Sequence, residues 1–133
     1  MLQHDRLQHL TANERAALAS FVARLRQRYG DDVLRVVLFG SKARGDADEE
    51  SDLDVLVVVR VPLEDYERHW VQIVDMAWEV EFEHDFLVLS PLIKDEAAYA
   101  QMQEWNLLIN RNIEQDGIEL WDLQANKPSL VSA

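Results

Sequence analysis

Fifteen residues, Gly40-Ser41-Lys42-Ala43-Arg44-Gly45-Asp46-Ala47-Asp48-Glu49-Glu50-Ser51-Asp52-Leu53-Asp54, separate two short apolar runs at positions 33–39 and 55–61. Both runs are rich in β-branched residues with little polar interruption, the pattern of buried strands. A glycine ends the first run. After a buried strand the chain must turn sharply there, and glycine permits both unusual backbone angles and close approach to a ligand. Residues from Gly40 to about Ala47 are expected to turn and start a short helix. The first N–H groups of a helix lack partners and carry partial positive charge, which suits phosphate oxygens. The Ser41 hydroxyl adds a donor. Asp52 and Asp54 open the second strand on one face, with Cα atoms ~6.5–7 Å apart. Such carboxylates can converge on hard cations: Mg²⁺ takes one or two carboxylates together with phosphates and water. Two ions ~3.5–4 Å apart can clamp the attacking and leaving oxygens of an in-line displacement. Taken singly, Gly40-Ser41 is an ordinary capped turn, and the two aspartates are solvated loop residues beside Asp46, Asp48, Glu49 and Glu50. At this distance from one another they can hold a triphosphate and its metal ions.

The composition limits the alternatives. A chain of 133 residues is one domain, long enough to bury roughly two-thirds of its unfolded surface. No stretch approaches the ~20 apolar residues of a membrane span. The first residues lack the basic and apolar regions of a signal peptide. There is no cysteine, hence no disulfide and no thiolate metal site. These features fit a cytoplasmic protein. The net charge of -12, from 13 basic and 25 acidic residues, argues against a general DNA or RNA binder, which needs clustered Lys and Arg. It suits either solubility alone or a basic protein partner.

Around the central motif, Thr11-Ala12-Asn13-Glu14 reads as a capping box. Leu18, Phe21, Val22, Leu25 and Tyr29 then recur at helical spacing up to Gly30. Pro62 stops the second strand, expected at 53–61. An amphipathic helix is expected over 63–84, with Trp70, Val71, Val74, Ala77, Trp78 and Phe82 on one broad face. A third strand at 86–93 carries Pro91, which argues for a sheet edge. Asp95 is placed to cap a helix through Ala97, Tyr99 and Met102. A further helical pattern through Trp105, Leu108, Ile109 and Ile113 runs to Gly117, and a short strand is expected at 118–121. The four tryptophans, Trp70, Trp78, Trp105 and Trp121, read as core or interface anchors. The four histidines show no common metal-ligand spacing, and surface or boundary roles are expected of His69 and His84.

Gly40-Ser41, Ala43-Arg44-Gly45 and Ser51-Asp52-Leu53-Asp54 closely resemble the signature of the DNA polymerase β-like nucleotidyltransferase superfamily. The resemblance is tight over residues 36–59 and loose elsewhere, and the small size is like that of the minimal members. The segments Leu89-Ser90-Pro91-Leu92-Ile93 and Arg111 to Trp121 are similar, less specifically, to members encoded beside HEPN-domain toxins. The resemblance implies an α/β (α+β) fold, a small mixed sheet with packed helices. It implies a nucleotidyltransferase domain over residues 1–121, leaving a loose C-terminal tail at 122–133. It implies that Gly40 and Ser41 hold the β- and γ-phosphates of a nucleoside triphosphate. Asp52 and Asp54 would be the catalytic carboxylates binding two Mg²⁺ ions, with ATP as substrate. Arg44 either contacts phosphate or pins the loop by pairing with an acid such as Asp46. Lys42 falls where the pattern is open and is expected to be solvated.

Family members usually draw a third carboxylate from the neighbouring strand as the base. The expected third strand has none. Asp85, just before it, is the best candidate, with Glu81 and Glu83 as alternatives that otherwise read as a solvated helix end. By resemblance the activity is transfer of AMP to a hydroxyl, a tyrosine of a HEPN-domain toxin from a neighbouring gene, with this chain as antitoxin. Two alternatives stand beside it: nucleotidylation of a small molecule such as an aminoglycoside, and a non-catalytic antitoxin that neutralises by binding. The apolar helix faces could also support a homodimer or a hetero-complex.

Overall fold

The structure is a computed structural model and describes residues 4–46 and 52–123. Ser51 of the motif, the acids at 48–50 and the segment 124–133 of the expected tail lie outside the described residues. The chain begins with a 3₁₀ turn at His4–Leu7 and helix α1 at Ala12–Tyr29. Strand β1 (Val33–Phe39), the single-turn helix α2 (Ser41–Arg44) and β2 (Leu53–Val59) follow. Helix α3 (Tyr66–Glu83) leads to β3 (Leu89–Asp95), then α4 (Glu96–Trp105), α5 (Leu108–Asp116) and β4 (Ile118–Asp122). The sheet order is β3-β2-β1-β4. β1 runs antiparallel to both its neighbours, and β2 and β3 are parallel, with α3 as their crossover. This is the mixed sheet that the sequence predicts.

Strand alternation splits the core in two. Val36, Leu38, Val55 and Val57 face α1 and α3, where Phe21, Leu25, Ile73 and Val80 meet them. Val37, Leu56 and Val58 face the opposite layer, against Met102 of α4 and Ile113 of α5. β1 and β2 are covered on both sides, so their sequences are almost uniformly apolar. The capping box forms as the sequence predicts: Thr11 Oγ1 accepts from the Glu14 N–H at 3.0 Å, and Glu14 Oε1 accepts from the Thr11 N–H at 2.9 Å. The Asp95 cap forms too, accepting from the Ala98 N–H at 2.7 Å.

Several boundaries differ from expectation. β2 stops at Val59, because the Arg60 N–H turns away to the Asp32 carbonyl at 2.7 Å. After Pro62 the chain makes a 3₁₀ turn at Leu63–Asp65 before α3 starts. β3 begins at Leu89 rather than 86, because Asp85 and Phe86 sit at φ 61 and φ 60, a left-handed geometry that cannot join a strand. It is an edge strand, as Pro91 suggests. β4 extends to Asp122, and the Leu123 N–H donates to the Leu34 carbonyl at 3.1 Å.

The broad face expected on α3 is buried only in part: Ala77 is in the core and Val74 packs partly buried against it, but the aromatic residues of that face stay outside. Ile73, Ala77 and Val80 are buried, while Trp70, Val71, Trp78 and Phe82 are exposed. Helix and sheet meet at close range, so the smaller aliphatic stripe is the one that fits. The core reading fails for Trp105 as well, which is exposed at the end of α4. Trp121 is partly buried: its indole N–H donates to the Val33 carbonyl at 3.1 Å and the Arg26 guanidinium stacks 3.7 Å above the ring. No helix among the described residues is long and apolar enough to cross a membrane.

Candidate functional site

β1 and β2 pair so that Phe39, the last residue of β1, stands opposite Asp54. The chain leaves the sheet at Gly40, with φ 80 and ψ -162. That region of backbone space is essentially reserved for glycine. A Cβ built on Gly40 would stand 2.5 Å from Asp54 Oδ2. The turn and the carboxylate are therefore packed against each other, and no side chain fits between them. The Ala43 and Arg44 N–H groups both return to the Gly40 carbonyl at 3.1 Å, closing one helical turn. Gly45, at φ 85, ends it.

The turn is anchored from behind. Lys42, expected in solvent, is buried, and its Nζ donates to Glu14 Oε2 at 2.6 Å. The other oxygen of that carboxylate serves the capping box of α1, so one side chain both starts a helix and ties α2 to it. Burial pushes the Glu14 carboxyl up, but its bonds to Lys42 and Thr11 and the Lys42 charge outweigh that and hold it below its ordinary value. The His9 ring Nε2 donates to the Lys42 carbonyl. Nothing in the local sequence announces these contacts, because Glu14 lies 28 positions from Lys42 and its role as a cap already accounts for it. Arg44 points outward and its Nε donates to Asp46 Oδ2 at 3.2 Å, which is the loop-pinning arrangement. With Arg6, His9, Ala43, Asp46 and Asp116 it lines a cleft of about 560 Å³.

Asp54 is partly buried and Asp52 is exposed. Burial first, and then the charge of Asp52, push the Asp54 carboxyl above its ordinary value. A divalent cation would relieve that repulsion, and the donors are hard oxygens open to solvent on one side, which fits Mg²⁺. Among the described residues no group of three or more His, Asp or Glu side chains could cage a metal unaided. Two carboxylates plus substrate phosphates is the coordination Mg²⁺ commonly uses.

The neighbouring strand supplies no third carboxylate. The β2–β3 ladder sets Ser90 opposite Asp54 and Leu92 opposite Leu56, all on one face of the sheet. β3 does contain an acid, Asp95, but it pairs with Val59 at the far end of the ladder. Glu83 is exposed at the end of α3, as expected, and pairs with Arg24, whereas Glu81 is partly buried and its Oε2 accepts from the Leu89 N–H at 2.7 Å. Asp85 is exposed in the turn four residues before β3, at the sheet end where β2 and β3 both start. Sequence reasoning missed Ser90 because the parallel register that sets it opposite Asp54 has no local signal.

The nucleotidyltransferase domain family model matches residues 18–118. A Methanocaldococcus jannaschii protein provisionally named as a protein adenylyltransferase is 30% identical over 109 residues, covering 82% of this chain and 99% of the relative. Among solved structures, a toxin-antitoxin with AMP-PNP aligns with a TM-score of 0.47 at 20% identity, covering 80% of this chain and 74% of that one. A provisionally named nucleotidyltransferase from Sulfolobus solfataricus aligns with a TM-score of 0.48 at 20% identity, covering 92% and 85%.

Proposed function

The chain belongs to the nucleotidyltransferase domain family, and from that premise we propose that it transfers AMP from Mg-ATP to a hydroxyl of a partner protein. The observation that supports this reading is the contact between the Gly40 turn and Asp54, a glycine turn suited to phosphate packed against a carboxylate suited to a metal ion. Gly40 and Ser41 hold the β- and γ-phosphates, while Asp52 and Asp54 hold two Mg²⁺ ions. When bound, Mg²⁺ neutralises phosphate charge and stabilises the leaving oxygen. Buried Lys42, clamped to Glu14, keeps the turn in place, and Arg44 pins its far side through Asp46. The acceptor oxygen attacks the α-phosphorus, a P–O bond to the acceptor forms, the bond to the bridging oxygen breaks, and pyrophosphate leaves.

The acceptor proton needs a destination. Ser90 stands where a strand carboxylate would take it, so Asp85 or a group on the partner serves as base. A general base contributes ~10²–10⁴-fold, so positioning still supports turnover if that group is poorly placed. A protein acceptor is supported by the printed name of the Methanocaldococcus jannaschii relative. The similarity of residues 89–93 and 111–121 to antitoxin members supports a HEPN-domain toxin of a neighbouring gene, modified on tyrosine in the cytoplasm. The net charge of -12 suits docking to a basic ribonuclease.

The test is the intact mass of that toxin after incubation with this chain and Mg-ATP. Added AMP, lost in the Asp52→Asn, Asp54→Asn variant, is the expected result. A stable complex with unchanged toxin mass would overturn transfer in favour of neutralisation by contact, the reading that Ser90 beside Asp54 favours.

A further inference from the structure

The outward side of α3 carries an apolar stripe that the fold leaves uncovered. Ile73, Ala77 and Val80 face the core, and helical spacing puts Val71, Trp78 and Phe82 on the opposite side. Trp78 is 59% exposed and Phe82 is 68% exposed. The stripe continues past the helix: Phe86, 70% exposed, sets its ring edge-on to Phe82 with centroids 5.3 Å apart, and exposed Val88 follows. Contiguous exposed aromatic surface of this kind is rare on monomeric soluble proteins, and it is the material of interface cores.

Topology brings the last turn of the stripe to the sheet end of the site, on the α1–α3 side, while Asp54 shares the α4–α5 side with Leu56. α3 returns the chain from the end of β2 to the start of β3, so its last turn lies at the sheet end that holds Gly40, Asp52 and Asp54. The link is direct: the Val88 carbonyl accepts from the N–H of Leu53, the residue between the two aspartates, at 2.9 Å. Acids border the stripe in sequence and along the helix, namely Asp75, Glu79, Glu83 and Asp85. Arg24 alone is shared between Glu79 and Glu83, so the border stays negative.

We propose that this stripe is the docking surface for the protein acceptor, a partner whose apolar contact face is ringed by Lys and Arg. A partner seated there and reaching round the starts of β2 and β3 brings its acceptor hydroxyl to the Asp52–Asp54 edge. The inference rests on the protein-acceptor reading above, yet binding and transfer test the two separately.

The probe is the HEPN-domain protein of the neighbouring gene, titrated against wild-type chain, Trp78→Glu/Phe82→Glu and the milder Trp78→Ala/Phe82→Ala. Circular dichroism melts establish that each variant is folded. Loss of buried aromatic anchors should weaken binding and raise KM by about tenfold or more, with kcat and ATP affinity held within about twofold. Asp52→Asn/Asp54→Asn should bind the partner as tightly as wild type. Transfer with unchanged affinity in both stripe variants overturns the docking surface and leaves the enzyme reading standing. Stripe-dependent binding with no transfer by wild type supports the docking surface and overturns the enzyme reading. Affinity lost in Trp105→Glu but kept in the stripe variants would place the partner at the α4–α5 corner and overturn the proposal. A wild-type dimer in analytical ultracentrifugation that the stripe variants dissociate would make the face a contact between copies and overturn it too. No binding by wild type overturns it outright.

Discussion

Gly40 and Gly30 both hold positive φ, yet only one of them touches the site. A Cβ on Gly40 meets Asp54, whereas a Cβ on Gly30 meets nothing within 4 Å. Each Gly→Ala change should cost about 1–3 kcal/mol through backbone strain, read from urea midpoints. Only Gly40→Ala should also abolish AMP transfer, and equal transfer by the two variants would refute the assigned contact. Asp54 poses the opposite trade between stability and function. Its carboxyl is pushed up in the fold, so the folded state binds its proton more tightly than the unfolded one. That contribution favours folding below the unfolded value, weakens as pH rises, and has become a net cost once pH exceeds the folded value. At neutral pH, therefore, Asp52→Asn should raise the melting temperature of the metal-free chain by removing one cause of the shift. Added Mg²⁺ should raise the wild-type melting temperature and that of the variant much less; equal responses would show that the aspartates are not the ligands. These aspartates and Gly40 were legible in the sequence because their spacing is local. Lys42 was not, since its burial depends on Glu14 arriving from another helix.

The same division holds for the elements. α1, β1 and the Asp95 cap were readable because each has a local signal, a capping box, a β-branched run or a side chain at N-cap. The start of β3 was not, because the left-handed Asp85 and Phe86 interrupt an apolar run that reads as strand. The exposed face of α3 misled for a related reason: hydrophobicity alone does not distinguish a stripe that packs on a sheet from one left for a partner. The clamp between α1 and α2 gives a test that spans elements. Lys42→Met leaves Glu14 without its cation, and breaking a buried pair in this way costs ~3–5 kcal/mol, an upper bound here because water still reaches both groups. Glu14 is held below its ordinary 4.5 in the fold, so its contribution is present above that value and is lost as pH falls through the folded one. Urea midpoints across pH should show the Glu14 part of the acid limb flattening in Lys42→Met; an unchanged limb would mean that the capping box alone sets the Glu14 shift. Ser90→Asp tests the β2–β3 register. A third carboxylate beside Asp54 should lower the metal-free melting temperature and enlarge the Mg²⁺-induced rise, whereas a silent substitution would place Ser90 away from the site.

Net charge is a property of the entire chain, and at -12 it acts over distances that no single side chain reaches. A field of that sign repels free nucleotide as well as attracting a basic partner. The two effects are separable by salt. Screening shortens to ~8 Å at physiological ionic strength, so added salt should speed the approach of ATP slightly and slow the approach of a cationic protein strongly. The association rate of a steered complex can exceed the unsteered value by ~10–10³-fold. Stopped-flow association with the proposed HEPN-domain partner should therefore fall steeply with ionic strength, while kcat at saturating partner stays flat. Asp75→Lys with Glu79→Lys should reduce both the rate at low salt and its slope, because those acids border the α3 stripe. Charge reversal of Glu64 and Glu67, near the other end of α3, is the matched control. If both pairs change the slope equally, the attraction comes from the summed charge alone. A larger change from Asp75 and Glu79 means that the field is focused along the apolar stripe of α3, and that steering and docking use the same face.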